Sequence, residues 1–122
     1  MRGMNRVMLI GRLGRDPEVR DGKRAGSRWG SFSLATHRRR KVGEDWEETT
    51  DWHRVKVFGS QADQCERFLG KGSLVAVEGS LHAEPWTDAE GKKRTFTSVV
   101  ADSVSFLDST RRNPESSAEE ED

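Results

Sequence analysis

Residues 49–59 read TTDWHRVKVFG. The segment alternates like a β-strand with one face in a core and the other in water. Val55 and Val57 fall on one face, with Asp51 and His53 further along it. Trp52, Arg54, Lys56 and Phe58 fall on the other. That second face is the wet one, because Arg54 and Lys56 are costly to bury without partners. Yet both ends of the row are large aromatics. Ring, cation, cation, ring suits a polyanion with unstacked bases, since rings stack on bases and cations meet phosphates. The row also fits a plainer arrangement, with Trp52 and Phe58 packed under a loop or against a second subunit. The segment alone leaves both open.

The chain has 122 residues, enough for one domain, a tail and a sizeable core. No apolar run approaches the roughly 20 residues that a membrane span needs. The start, MRGMNRVMLIGRLGRD, has a short apolar centre but no small-residue cleavage site, so it reads as a strand of the mature protein. Met1 and Met4 would each serve as a start. Cys65 is the only cysteine, so no internal disulfide forms, which suits a reducing cytoplasm. Net charge is zero, but it is unevenly spread. Residues 111–122 hold two basic and five acidic residues, leaving 19 basic and 16 acidic in residues 1–110. A mildly basic folded part with an acidic tail is the asymmetry that bears on partners. Four Trp and no Tyr add large stacking faces, although Trp also fills cores.

Residues 5–13 (NRVMLIGRL) are apolar and β-prone, and Gly11 and Gly14 suggest a bulge or bend such as small barrels need. GRLG resembles a fragment of a phosphate-binding glycine loop, but Asp16-Pro17 stands where the following helix would run. Residues 20–27 read as a turn around Asp21-Gly22. Residues 29–36 (WGSFSLAT) form a second strand, with Phe32 and Leu34 on one face and Trp29, Ser31, Ser33 and Ala35 on the other. Apart from Trp29 that other face is small, leaving room for something to lie along it. Residues 37–48 (HRRRKVGEDWEE) read as a long mobile hairpin loop carrying Trp46. Its basic run, Arg38, Arg39, Arg40 and Lys41, either tracks a phosphate backbone or is balanced by the acids that follow.

After the opening strand, Ser60 can cap a short helix with Asp63 in its first turn, and Gly70 or Gly72 ends it. Ala62, Cys65, Phe68 and Leu69 share one side of that helix, so Cys65 reads as a small core hydrophobe. Residues 74–83 form a strand with Val75, Val77 and Leu81 inward and Glu78, Ser80 and His82 outward. Residues 85–91 (PWTDAEG) read as a turn carrying Trp86, followed by Lys92, Lys93 and Arg94. A last strand covers about 94–107.

The order is three strands, a short helix, then two strands. Five strands with one helix between the third and fourth is the arrangement of an OB-fold, an all-β Greek-key barrel. That fold binds ligands on the face of its second and third strands and on two flanking loops. Trp29, Trp52, Arg54, Lys56 and Phe58 land on that face, and Trp86 with Lys92–Arg94 at a loop. The coincidence favours nucleic acid. The expected division is an OB-fold domain over 1–108 and a short disordered acidic tail over 109–122.

The strings MNRVMLIGRLGRDPEVR (4–20), FSLAT (32–36), TDWHRVKVFG (50–59), LGKGSLVAVEGSL (69–81) and WTDAEGKKR (86–94) resemble the bacterial-type single-stranded-DNA-binding proteins. The resemblance spans nearly all of 4–107. It implies an OB-fold that assembles, usually as a homotetramer, and wraps single-stranded DNA without sequence preference in replication, recombination and repair. It implies a bacterial cytoplasmic, nucleoid-associated protein with no cofactor or metal. The stacking aromatics it implies are Trp52, Phe58 and Trp86, with Trp29 beside them. Arg6, Arg54, Lys56, Arg38–Lys41 and Lys92–Arg94 would meet phosphates, and His53 would face a subunit interface. The chain departs from the family pattern twice. Where the family has another stacking Trp after the LAT string, this chain reads HRRRK, so either Trp46 substitutes or charge replaces one stack. The tail ends SSAEEED without the Pro-Phe tip, which leaves recruitment of replication or repair proteins without its apolar anchor.

An enzyme is disfavoured. His37, His53 and His82 lie on separate elements without metal-ligand spacing, and Asp51 with His53 has no nucleophile beside it. The other rival is an OB-fold serving protein assembly or RNA.

Overall fold

The computed structural model describes residues 2–24 and 27–108. The acidic tail expected over 109–122 lies outside them. Six strands and one helix follow in order: β1 (Val7–Leu13), β2 (Glu18–Asp21), β3 (Arg28–Val42), β4 (Asp45–Phe58), α1 (Ser60–Phe68), β5 (Leu74–Thr87) and β6 (Lys93–Phe106). The sheet runs β1-β5-β6-β4-β3-β2, and β1 also pairs with β3. That extra pairing closes five strands into a barrel and leaves β2 as an appended ribbon. Only β4 and β6 run parallel, through Val55↔Val99 and Lys56↔Val100. The expected OB-fold stands, with α1 between the third and fourth barrel strands, here β4 and β5.

The core follows from period-2 alternation. Phe32 and Leu34 of β3, Val55 and Val57 of β4, and Val75 and Val77 of β5 point inward and are buried with Leu13, Val99 and Ala101. Burying each of these Val, Leu and Phe side chains contributes about 1.5–3 kcal/mol. Helix α1 closes one end with Ala62, Cys65 and, just beyond it, Leu69. Arg28 ties the helix to β3 by hydrogen bonds to Asp63 at 2.7 Å and Glu66 at 3.1 Å. Gly11 sits where β1 meets β3, and a Cβ there would run into the Ala35 carbonyl.

Several expectations change. Residues 18–21 pair with β3 from Glu18↔Ser31 to Asp21↔Arg28, so the region is a strand before it is a turn. The loop expected over 37–48 is instead the distal half of β3 and β4, paired through to Val42↔Asp45. Opposite charges face each other there, as in Arg39↔Glu48 and Arg40↔Glu47, which favours pairing over repulsion. Gly43, at φ 65°, takes the first place of the two-residue turn. The turn expected over 85–91 starts later, because β5 runs to Thr87 opposite Lys93. Helix α1 is capped by Gly59 without a side-chain cap, not by Ser60, and Leu69 is already extended before either glycine. Leu81, expected inward, is 47% exposed. The register shifts at Glu78/Gly79, and past His82↔Ser98 both strands are exposed, a two-stranded arm standing clear of the core.

Candidate nucleic-acid interface

Strand β4 builds the centre of the site. Its outward row keeps Trp52, Arg54 and Phe58 exposed, while Lys56 is half-buried. Trp52, at 60% exposure, faces solvent and not the core. Cross-strand neighbours set what lies beside the row: Ala35 opposite Trp52, Ser33 opposite Arg54, Ser31 opposite Lys56, and Trp29 opposite Phe58. The small β3 residues leave a groove, as their size suggested. One part, about 240 Å³, is lined by Gly14, Arg15, Ser33 and Trp52. A second, about 130 Å³, shares Arg15 and Ser33 and adds Arg54, Ser31 and the acids Asp16 and Glu18. Trp29 is only half-buried, so its ring borders this face.

The arm of β5 and β6 adds the other wall. Trp86 lies opposite Arg94, and Glu84 opposite Phe96. The arm touches β4 twice. Lys56 Nζ donates to Glu84 Oε1 at 2.9 Å, and the Arg54 guanidinium lies 5.5 Å from the Phe96 ring centroid. Trp46 shares the outward face of β4 with Trp52 by alternation and is exposed, with the Arg39 guanidinium 5.0 Å from its ring. The aromatics Trp46, Trp52, Phe58, Phe96 and Trp86 thus stand open on one side of the barrel and its arm.

The cations divide into paired and unpaired groups. Arg38 makes two hydrogen bonds to Asp51, 2.6 Å and 3.1 Å, on the face opposite the Trp52 row. Alternation puts Arg40 on that opposite face as well, so only Arg39 and Lys41 of the basic run share the aromatic side. Arg94 Nε donates to Asp88 Oδ2 at 2.6 Å. These arginines hold the carboxyls of Asp51 and Asp88 below the ordinary range, as Lys56 does for Glu84. Arg6 pairs with Glu78 on the β1–β5 wall, beside exposed Met8 and Ile10, and is not brought to the β4 row. Lys92 and Lys93 are exposed at the tip of the arm. His53, on the inward face of β4, is half-buried with Nε2 2.8 Å from the Thr36 hydroxyl.

Phe96 and Arg15 also lie along this face, and sequence reasoning missed both. Phe96 sits in an ordinary Thr-rich strand pattern, and only its register opposite Glu84 brings it to the face. Arg15 follows the noted Gly14, and no period marks it. Among the described residues no group of three His, Cys, Asp or Glu is placed to hold a metal ion. No helix among them is long and apolar enough to cross a membrane.

A five-stranded barrel with open rings and cations along one side defines an OB-fold binder of unpaired nucleic acid. The model of the single-strand binding protein family matches residues 4–107, and the chain belongs to that family. This is a binding family and not an enzyme family. A solved structure titled as the Plasmodium falciparum SSB complex with ssDNA is similar to it, at 31% identity and a TM-score of 0.80. That match covers 88% of this chain and 98% of the other.

Proposed function

We propose that this single-strand binding protein takes up single-stranded DNA without sequence preference, along the β4 row and the β5–β6 arm. The supporting observation is the exposed set of Trp52, Phe58 and Trp86 beside the Arg15–Arg54 groove. Every base offers a ring face to stack, whereas a duplex keeps its bases covered. Arg54, Lys41, Lys92, Lys93 and Arg39 supply the charge, with Lys56, Arg94 and Trp29 in supporting positions, while Arg38, Arg40 and Arg6 stand off this row. We infer a homo-oligomer, a tetramer by family resemblance. The exposed Met8 and Ile10 support an intersubunit face, and His53 is assigned to an interface on the resemblance. Replication, recombination and repair in a bacterial cytoplasm are the proposed setting.

The test is a fluorescence titration with oligo-dT beside duplex DNA and oligo-U. Tight, Trp-quenching binding of oligo-dT with weak duplex binding is expected. Preference for oligo-U, or no response to oligo-dT, would favour the RNA or assembly role instead. Deleting residues 111–122 removes five acids and two bases and should leave binding intact or stronger.

A further inference from the structure

We propose that Phe96 and Trp86 form the two walls of a separate stacking subsite for one nucleobase; the proposal rests on the single-stranded DNA reading above. Phe96 lies opposite Glu84, and Trp86 opposite Arg94, so strand alternation puts all four on one face of the arm. Phe96 is 41% exposed, although a phenylalanine on a strand arm gains nothing from facing water. The two rings flank an open cavity of about 280 Å³, completed by Glu84 and Pro85. Pockets for drug-sized ligands begin near about 300 Å³, so this one suits a single flat heterocycle.

Charge decides which part of a nucleotide enters. Glu84 is ionised at neutral pH, since the Lys56 ammonium 2.9 Å away holds its carboxyl below the usual range. An ionised carboxylate repels a phosphate, and Lys56 is already occupied in balancing it. A base meets no such penalty and gains two apolar walls. Arg54 lies over the Phe96 ring but does not line this cavity. The phosphates therefore run on the Arg54 side and the base turns into the arm.

The test measures binding of fluorescein-labelled oligo-dT by anisotropy, so loss of a tryptophan signal is not mistaken for loss of binding. Phe96→Ala should weaken binding about five- to hundredfold, the range that one base stack commands in this class of protein. Phe96→Trp should keep wild-type affinity. Phe96→Leu retains bulk without a ring and should behave like the alanine variant; full affinity there would overturn the proposal. Arg54→Gln separates stacking from support. If Phe96→Ala costs nothing more in that background, Phe96 only steadies Arg54 and the subsite is wrong. An oligonucleotide carrying 5-iododeoxyuridine should photocrosslink to the peptides holding Trp86 and Phe96. Wild-type protein that binds while Phe96→Ala is unaffected sinks this subsite alone. Wild-type protein that ignores oligo-dT sinks the functional reading itself.

Discussion

The indole of Trp52 covers Gly14: a Cβ built at residue 14 would stand 2.5 Å from Cζ3 and 2.7 Å from Cη2 of the ring. The backbone there is held by the Gly14 amide donating to the Ser33 carbonyl at 3.1 Å, so the ring and not the chain must yield. Gly14→Ala should leave the melting temperature nearly unchanged. Oligo-dT affinity should fall by up to one stack, about 1–3 kcal/mol, a range adopted from this class of protein. Unaltered affinity would mean that the seat of Trp52 is irrelevant to binding.

Exposure separates binding from folding along the aromatic row. Trp52→Ala and Trp86→Ala should each lose about 1–3 kcal/mol of oligo-dT affinity, again the range adopted from this class, while stability stays within about 0.5 kcal/mol. Trp46 lies six residues from Trp52 on the same strand face, about 20 Å away. Its replacement by alanine should therefore weaken only oligonucleotides long enough to span both rings. Titrations with a short and a long oligo-dT check this.

Salt dependence should follow the unpaired cations and not the total count. Lys92→Gln, Lys93→Gln and Lys41→Gln should each lower the slope of log affinity against log salt by about 0.7, the value for a lost single-strand phosphate contact. Arg38→Gln should change it less, because Asp51 already engages that guanidinium from the opposite face. Equal effects from all four would show that the Arg38–Asp51 pair opens on binding.

Acid should weaken the fold through identifiable pairs. The carboxyls of Asp51, Glu84 and Asp88 are lowered chiefly by hydrogen bonds from Arg38, Lys56 and Arg94. Their contribution is complete above the ordinary carboxylate range and is lost as pH falls through the depressed values. Urea midpoints should hold from pH 7 to about 5 and decline below about 4. Asp51→Asn should flatten part of that decline. Each pair keeps one partner exposed to solvent, which screens it, so each share is modest.

Cys65 should be chemically silent in the folded protein. It is fully buried against the barrel, and burial pushes its thiol up to about 12. A thiol reagent at pH 8 should react only at the rate of unfolding; prompt reaction in native buffer would contradict this placement.

Local alternation was enough to sort β4 into an inward Val55–Val57 pair and an outward Trp52–Phe58 row, since each residue's face depends only on its neighbours. It failed where pairing decides the outcome. Residues 18–21 carry one apolar side chain, Val19, and become a strand because β3 accepts them. The charge-rich residues 38–48 resemble a solvated loop until register sets opposite charges across from one another. Leu81 has inward parity, but the core ends at Val99 opposite it.

The sequence by itself determined the barrel, its helix and the outward rings of β4, because periodicity and turn chemistry act over a few residues. Tertiary structure alone decided which cations remain available and that Phe96 joins the row. Those outcomes depend on groups far apart in the chain, such as Lys56 and Glu84 at 28 residues' separation, and no local pattern encodes which distant carboxylate will neutralise a given charge.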